Sequence, residues 1–149
     1  MTSGPRNSRR RVLYEARKWI GTPYLHQASV RGRGCDCLGL IRGVWRSVLG
    51  DEPEQTPSYS SDWAESGVHE PMLDAASRWF IQLDREDACA GDLVLFRWHR
   101  SSVVKHAGIL SARNCFIHAY ERAGVVETHL GSHWQKRIVA AFRFPNSEK

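Results

Sequence analysis

The spacing of apolar residues predicts helices in the first half of the chain and strands in the second. Apolar residues three and four apart predict an amphipathic helix from Arg9 that ends at Gly21 and Pro23. The same spacing predicts helices over residues 37–49 and 70–81. The Pro and Ser content of residues 50–66 is typical of a loop.

After residue 90 the pattern changes to short β-prone runs bounded by turn residues. These runs cover residues 93–96, 105–110, 115–120, 124–128 and 138–144. Helices followed by strands indicate an α+β fold with an antiparallel sheet. We expect a basic, flexible arm over 1–11, one domain over 12–145 and a tail over 146–149.

Charge is distributed unevenly along the 149 residues. Lys and Arg number 21 and Asp and Glu 16, and the whole excess of +5 lies in residues 1–18, which hold six basic residues and one acid. A nucleic-acid-binding domain would spread its basic residues over one face of the fold, so we predict no nucleic-acid partner and favour a solvated arm over an anion-binding one.

Apolar runs are short in this sequence. None approaches the roughly 20 residues that span a bilayer, and no apolar stretch follows the N-terminal arginines as it would in a secretory signal. We therefore expect no membrane insertion, synthesis in the cytoplasm, and cysteines that stay reduced thiols.

Cys37 lies where a Gly-containing loop meets the second predicted helix. The unpaired N–H groups and partial positive charge of a helix N-terminus favour a thiolate, so this position predicts a lowered pKa and a candidate nucleophile. The same N–H groups can stabilise an oxyanion. The alternative is a buried structural thiol, which is what most free cysteines are.

Two histidines in neighbouring predicted strands are candidate partners of that thiol. His106 and His118 are twelve residues apart (118 − 106), which suits a hairpin that places both imidazoles on one face. One imidazole would accept the thiol proton and the second would orient the first, as in a catalytic triad.

Five short blocks then follow one another in a characteristic order: Gly21-Thr22-Pro23-Tyr24, Asp36-Cys37-Leu38-Gly39-Leu40, Gly91-Asp92-Leu93-Val94-Leu95-Phe96, His106-Ala107-Gly108-Ile109 and Phe116-Ile117-His118-Ala119. In this order they resemble the signature blocks of the NlpC-type cell-wall peptidases, which are papain-like cysteine peptidases. The resemblance spans about residues 12–144 and implies N-terminal helices packed on a central antiparallel sheet. The surrounding sequence looks closest to the subgroup found in tailed phages and gene-transfer particles, through His26-Gln27-Ala28-Ser29, Cys35-Asp36-Cys37, Gly43-Val44-Trp45-Arg46 and residues 140–145.

The resemblance also implies a role for each matching residue. Cys37 matches the nucleophile, His106 the general base and His118 the polar residue that orients it. Tyr24 matches a tyrosine near the oxyanion, and Asp36 a residue that shapes the site or holds a substrate amine. No metal or organic cofactor is implied.

The implied reaction is hydrolysis of peptidoglycan stem peptides, at the γ-D-glutamyl–diaminopimelate bond in many members. The subgroup implies a component of a phage-like tail, with tail or baseplate hub proteins as partners, that reaches the cell wall or periplasm in the particle. Two alternatives stay open: a structural tail module without activity, and an N-acetylmuramoyl-L-alanine amidase.

Three features of the sequence depart from common metal-site or family patterns. Cys35 and Cys37 form Cys-x-Cys rather than the Cys-x₂-Cys of zinc sites. Leu38 follows the proposed nucleophile where the family often has Ser, so a hydroxyl that could cap the helix is missing. The interval from Tyr24 to Cys37 is one residue longer than in commoner members.

Overall fold

The N-terminal segment is helical further upstream than the sequence predicts. A computed structural model describes residues 5–54 and 70–145, with side chains from residue 8 onward. Helix α1 covers Pro5–Arg17, so the predicted boundary at residue 12 falls inside this helix. The Nε atom of Arg9 lies 2.9 Å from Oδ1 of the buried Asp92, which fixes α1 against the sheet. The predicted tail and most of the predicted loop over 50–66 lie outside the described residues.

Two further helices follow α1, and both are close to their predicted bounds. Helix α2 covers Cys37–Leu49 and helix α3 covers Pro71–Trp79. The predicted loop over 21–36 contains a hairpin of two strands with two residues each, β1 (Ser29–Val30) and β2 (Gly34–Cys35). These strands are too short to produce a periodic pattern in the sequence.

Six further strands follow: β3 (Ile81–Leu83), β4 (Leu93–Phe96), β5 (His106–Ala112), β6 (Cys115–Tyr120), β7 (Gly124–His129) and β8 (Ile138–Arg143). They form one six-stranded antiparallel sheet in the order β3-β8-β4-β5-β6-β7. A one-turn helix, α4 (Ser132–Gln135), connects β7 to β8. The predicted α+β class with a central antiparallel sheet is confirmed, whereas β3 and α4 were not predicted.

The main core lies between α1, α2 and one face of the sheet. Two glycines of α2 allow the close packing: a Cβ atom on Gly39 would lie 1.9 Å from the Ala28 carbonyl oxygen, and one on Gly43 would lie 2.0 Å from the Trp19 ring. Two glycines in one helix weaken it by about 1 kcal/mol each relative to alanine, and here they let the loop that contains Ala28 and the C-terminal end of α1 approach α2 directly. A smaller apolar cluster around Phe96 and Phe116 covers the other face of the sheet.

None of the helices within the described residues combines the length and the apolar character needed to cross a bilayer.

Candidate active site

Helix α2 begins at Cys37, and Asp36 caps it. Oδ1 of Asp36 accepts a hydrogen bond of 2.7 Å from the backbone N–H of Gly39, and Oδ2 accepts one of 2.8 Å from that of Gln27. An N-cap carboxylate satisfies N–H groups that have no partner inside the helix. Asp36 therefore caps the helix, although the hydroxyl that a Ser at position 38 would offer is missing. It also joins the loop that carries Tyr24 to the helix that carries Cys37.

The two predicted histidines meet in the sheet. Nε2 of His106 lies 2.8 Å from Nδ1 of His118, and Nε2 of His118 lies 2.8 Å from Oγ1 of Thr128 on β7. Both histidines are buried. Gly108 leaves room for the pair, because a Cβ atom there would lie 3.3 Å from Cβ of His118 and 2.8 Å from the Phe116 ring. The hairpin prediction is confirmed, and Thr128 extends it to a three-membered hydrogen-bonded chain.

The sulfur of Cys37 lies beside the first residue of β5. Its thiol donates to the carbonyl oxygen of Lys105 at a sulfur–oxygen distance of 3.8 Å, and the backbone of Ala107 also hydrogen bonds to it. The sulfur thus contacts the backbone on both sides of His106. Because Nε2 of His106 is used for His118, Nδ1 is the ring atom available to the thiol.

Cys37 and His106 open into one cavity of about 340 Å³, together with two more of the predicted site residues, Tyr24 and Asp36. His118 lies behind His106. The structure therefore brings together all five residues singled out in the sequence. The cavity is also lined by nine residues outside the five singled out: His26, Leu38, Met72, Trp98, Lys105, Ala119, Tyr120, Glu121 and Arg122. For Lys105, Glu121 and Arg122 the signal was their position beside His106 or three to four residues after His118.

Burial governs the protonation of this site. Burial raises the pKa of the Cys37 thiol to about 12, and the charge of Asp36 acts in the same direction, whereas the N–H groups of Ala107 and Leu38 oppose the shift. The prediction of a lowered thiol pKa is therefore wrong, because desolvation outweighs the helix N-terminus. Burial also lowers the pKa of His106, and that of His118 to about 4. The resting pair is a neutral thiol and a neutral imidazole.

Two tryptophans shield the imidazoles from water. The Trp134 ring on α4 lies 5.8 Å from the His106 ring and 5.1 Å from the His118 ring, measured between centroids. The Trp98 ring lies 5.0 Å from the His106 ring and lines the cavity. These contacts, with those of Phe96 and Phe116, contribute to the burial that lowers the pKa values of the imidazoles. The sequence did not reveal them, because α4 is only one turn long.

Tyr24 lines the same cavity as Cys37. Burial raises the pKa of its phenol, and the charges of Cys37 and Asp36 contribute to that shift. The hydroxyl is therefore a protonated donor on the cavity wall. No three His, Cys, Asp or Glu side chains converge as a metal site within residues 5–54 and 70–145, and Cys35 and Cys37 are both free thiols.

Comparison with known proteins agrees with this geometry. The family model described as "NlpC/P60 family" matches residues 21–143. The chain is 30% identical over 130 residues to the probable endopeptidase NlpC of Escherichia coli, covering 87% of this chain and 73% of that protein. It is 27% identical over 138 residues to the γ-DL-glutamyl hydrolase of Bacillus subtilis, covering 91% of this chain but only 29% of that protein.

Solved structures show the same fold. The NlpC/p60 domain of the peptidoglycan hydrolase SagA superimposes with a TM-score of 0.60 at 24% identity, covering 90% of this chain and 97% of that domain. The family-level resemblance read from the sequence blocks is therefore confirmed, and this chain belongs to the NlpC/P60 family.

Proposed function

We propose that this chain is a cysteine endopeptidase that hydrolyses peptidoglycan stem peptides. The observation that carries the proposal is the position of Cys37, at the start of α2 and in one cavity with His106, which is itself hydrogen bonded to His118. Nucleophile, base and orienting residue in this order are the arrangement that thiol hydrolases need. The names of the E. coli and B. subtilis relatives, an endopeptidase and a glutamyl hydrolase, support the same reaction class.

The hydrogen bonds from His106 to His118 and from His118 to Thr128 couple the tautomers of the two imidazoles. If His118 donates through Nε2 to Thr128, its Nδ1 accepts from Nε2 of His106. Nδ1 of His106 then carries a lone pair and can accept the Cys37 proton as the sulfur attacks the scissile carbonyl carbon. The imidazolium formed in this step later returns the proton to the leaving amine, and water hydrolyses the thioester to regenerate the thiol.

The oxyanion of the tetrahedral intermediate has two kinds of donor in the cavity. One is the pair of backbone N–H groups of Cys37 and Leu38, since Asp36 already accepts from those of Gly39 and Leu40, and the other is the Tyr24 hydroxyl. Within this mechanism Asp36 acts by holding the Tyr24 loop against the helix start, through the hydrogen bonds described above.

For the bond cleaved, we propose the γ-D-glutamyl–diaminopimelate bond. The support is the resemblance of the sequence blocks to members that cut there, and the B. subtilis relative named as a γ-DL-glutamyl hydrolase.

Digestion of purified peptidoglycan tests the activity and the bond together. The wild type, Cys37→Ala and the control Cys89→Ala, which removes an exposed thiol outside the cavity, are incubated with peptidoglycan, and the fragments are identified by mass spectrometry. We expect cuts within the stem peptide from the wild type and Cys89→Ala only. Fragments cut between sugar and L-Ala would indicate an amidase. The absence of fragments with all three proteins would favour a structural module.

We also propose that the enzyme works as part of a phage-like tail, with tail or baseplate hub proteins as partners, and reaches the cell wall or periplasm in that particle. The support is the similarity of residues 26–29, 35–37, 43–46 and 140–145 to the phage subgroup. Purified particles probed with an antibody to this chain test the proposal, and particles that lack the chain would contradict it.

A further inference from the structure

The turn between β6 and β7 forms one wall of the active-site cavity. The N–H of Ala123 donates to the carbonyl oxygen of Tyr120 at 2.9 Å, and Gly124 follows with a φ of 77°. A turn closed by an i to i+3 bond and followed by a left-handed glycine is a common tight hairpin connection. Glu121 and Arg122 occupy its two central positions, and both line the cavity.

This turn is fixed in place next to the loop that carries Tyr24. The N–H of Val125 donates to the Thr22 carbonyl oxygen at 2.9 Å, and the N–H of Gly21 donates to that of Val125 at 3.0 Å. A Cβ atom on Gly124 would lie only 2.5 Å from the Thr22 oxygen, so glycine is required both for the conformation and for the contact. These contacts hold the β6–β7 turn against the loop that carries Tyr24.

Arg122 is a cation on this wall that has no ion-pair partner among the described residues. Some other arginines are held by carboxylates, such as Arg9 by Asp92, and Arg42 and Arg46 by Glu52. Arg122 makes no ion pair or hydrogen bond within the described residues, and it is exposed. A guanidinium held at a fixed turn beside a nucleophile suits a carboxylate, which it can bind through two parallel N–H···O bonds.

We propose that Arg122 is a specificity-determining residue that binds a free carboxylate of the substrate. The inference rests on the proposed function, because a stem peptide linked through the γ-carboxyl of D-glutamate keeps the α-carboxyl of that residue free, and a C-terminal diaminopimelate carries two more. Any of these carboxylates provides the chemistry that Arg122 recognises.

Binding measured without turnover tests the role of Arg122. Isothermal titration uses the full chain carrying Cys37→Ala and three probes: the tripeptide L-Ala-γ-D-Glu-meso-diaminopimelate, the same peptide amidated at the glutamate α-carboxyl, and the peptide amidated at both diaminopimelate carboxyls. The added substitutions are Arg122→Gln, Arg122→Lys and the control Arg113→Gln, an exposed arginine on the neighbouring β5–β6 turn that lies outside this cavity. Kinetics of the same Arg122 and Arg113 variants, without Cys37→Ala, are measured separately on the unmodified tripeptide.

We expect the free tripeptide to bind about tenfold more tightly than one of the two amides, and that amide identifies the carboxylate. The ratio should fall to about one with Arg122→Gln, recover in part with Arg122→Lys and stay unchanged with Arg113→Gln. An unchanged ratio with Arg122→Gln, or no binding of any peptide, would overturn the inference. An Arg122-dependent ratio in a chain whose wild type cuts no substrate would instead uphold the carboxylate site and refute the proposed hydrolase.

Discussion

His106 and His118 meet nearly edge to face, with their ring planes at 82° and Nε2 of the first 2.8 Å from Nδ1 of the second. This geometry lets one lone pair of His118 fix the tautomer of His106. The orientation of His106 toward Cys37 therefore depends on an acceptor at one position, the Nδ1 atom of His118.

Replacing that acceptor should lower turnover in a graded way. We expect His118→Ala to reduce kcat by about 10²- to 10³-fold, because His106 loses both its orientation and the partner that stabilises its imidazolium. His118→Asn, whose carbonyl oxygen can stand where Nδ1 stood, should retain more activity than His118→Ala. Thr128→Val, which removes the next hydroxyl in the chain, should cost less than either. Steady-state kinetics check the order, and equal kcat values for His118→Ala and wild type would refute an orienting role.

The thiol should titrate as a buried neutral group. Burial raises the pKa of Cys37 to about 12 and lowers that of His106, so we expect alkylation of Cys37 by iodoacetamide to rise through pH 9 without a plateau. Peptide mass spectrometry follows the rate from pH 4 to pH 10, with N-acetylcysteine as the reference for the reagent. A plateau reached below pH 6 would show a thiolate–imidazolium pair and contradict the neutral pair.

Stability should fall with acid in a window set by the histidines. The pKa of His118 is about 4 in the folded protein and about 6.5 when unfolded, so the unfolded state binds more protons between these values. The free energy of unfolding should therefore decrease as the pH falls from 6.5 to 4, by on the order of 3 kcal/mol for this residue. Glu52 and Glu127, whose pKa values are lowered below the usual 4.5, act at more acidic pH.

Urea unfolding at a series of pH values measures this slope. His118→Asn should flatten it between pH 6.5 and pH 4, and His99→Gln, at an exposed turn, serves as the control for removal of a histidine. A wild-type stability that stays level across the window would refute the depressed pKa.

The sequence predicts the long elements well because their patterns repeat. Helix α2 over 37–49 and strand β6 over 115–120 match the structure at both ends, since apolar periodicity and turn residues mark their bounds. The hairpin β1–β2 and helix α4 have two to four residues each and leave no periodic signal. The helix predicted from Arg9 begins earlier, at Pro5, and its Arg9 is paired with a buried aspartate through a contact that residues distant in the chain provide.

For the site, sequence spacing predicts which residues come together, but it does not predict how deeply their side chains are buried from solvent. The sequence assigned Cys37, His106 and His118 to one cluster, because a helix start and a hairpin are local features. The sign of the Cys37 pKa shift depends on how deeply the thiol is buried, and that depends on residues distant in the chain. Trp134, which covers both imidazoles, comes from one of these distant segments.

Asp36 offers a final test, because shaping the site and holding a substrate amine make different demands on it. Both carboxylate oxygens already accept backbone hydrogen bonds, from Gly39 and from Gln27, whose φ of 68° is left-handed. Asp36→Ala removes both bonds and should destabilise the fold by about 1–3 kcal/mol. Asp36→Asn keeps one acceptor for Gly39 but turns an amide N–H₂ toward Gln27, so its loss should be smaller.

Kinetics separate the two roles once stability is known from urea midpoints. We expect Asp36→Asn to change KM equally for a stem peptide with a free N-terminal amine and for the same peptide acetylated, because the carboxylate is occupied within the protein. The control Asp51→Asn removes the same charge at an exposed position just beyond the other end of α2. A KM that rises for the free-amine peptide alone, with Asp51→Asn unaffected, would show instead that Asp36 contacts the substrate directly.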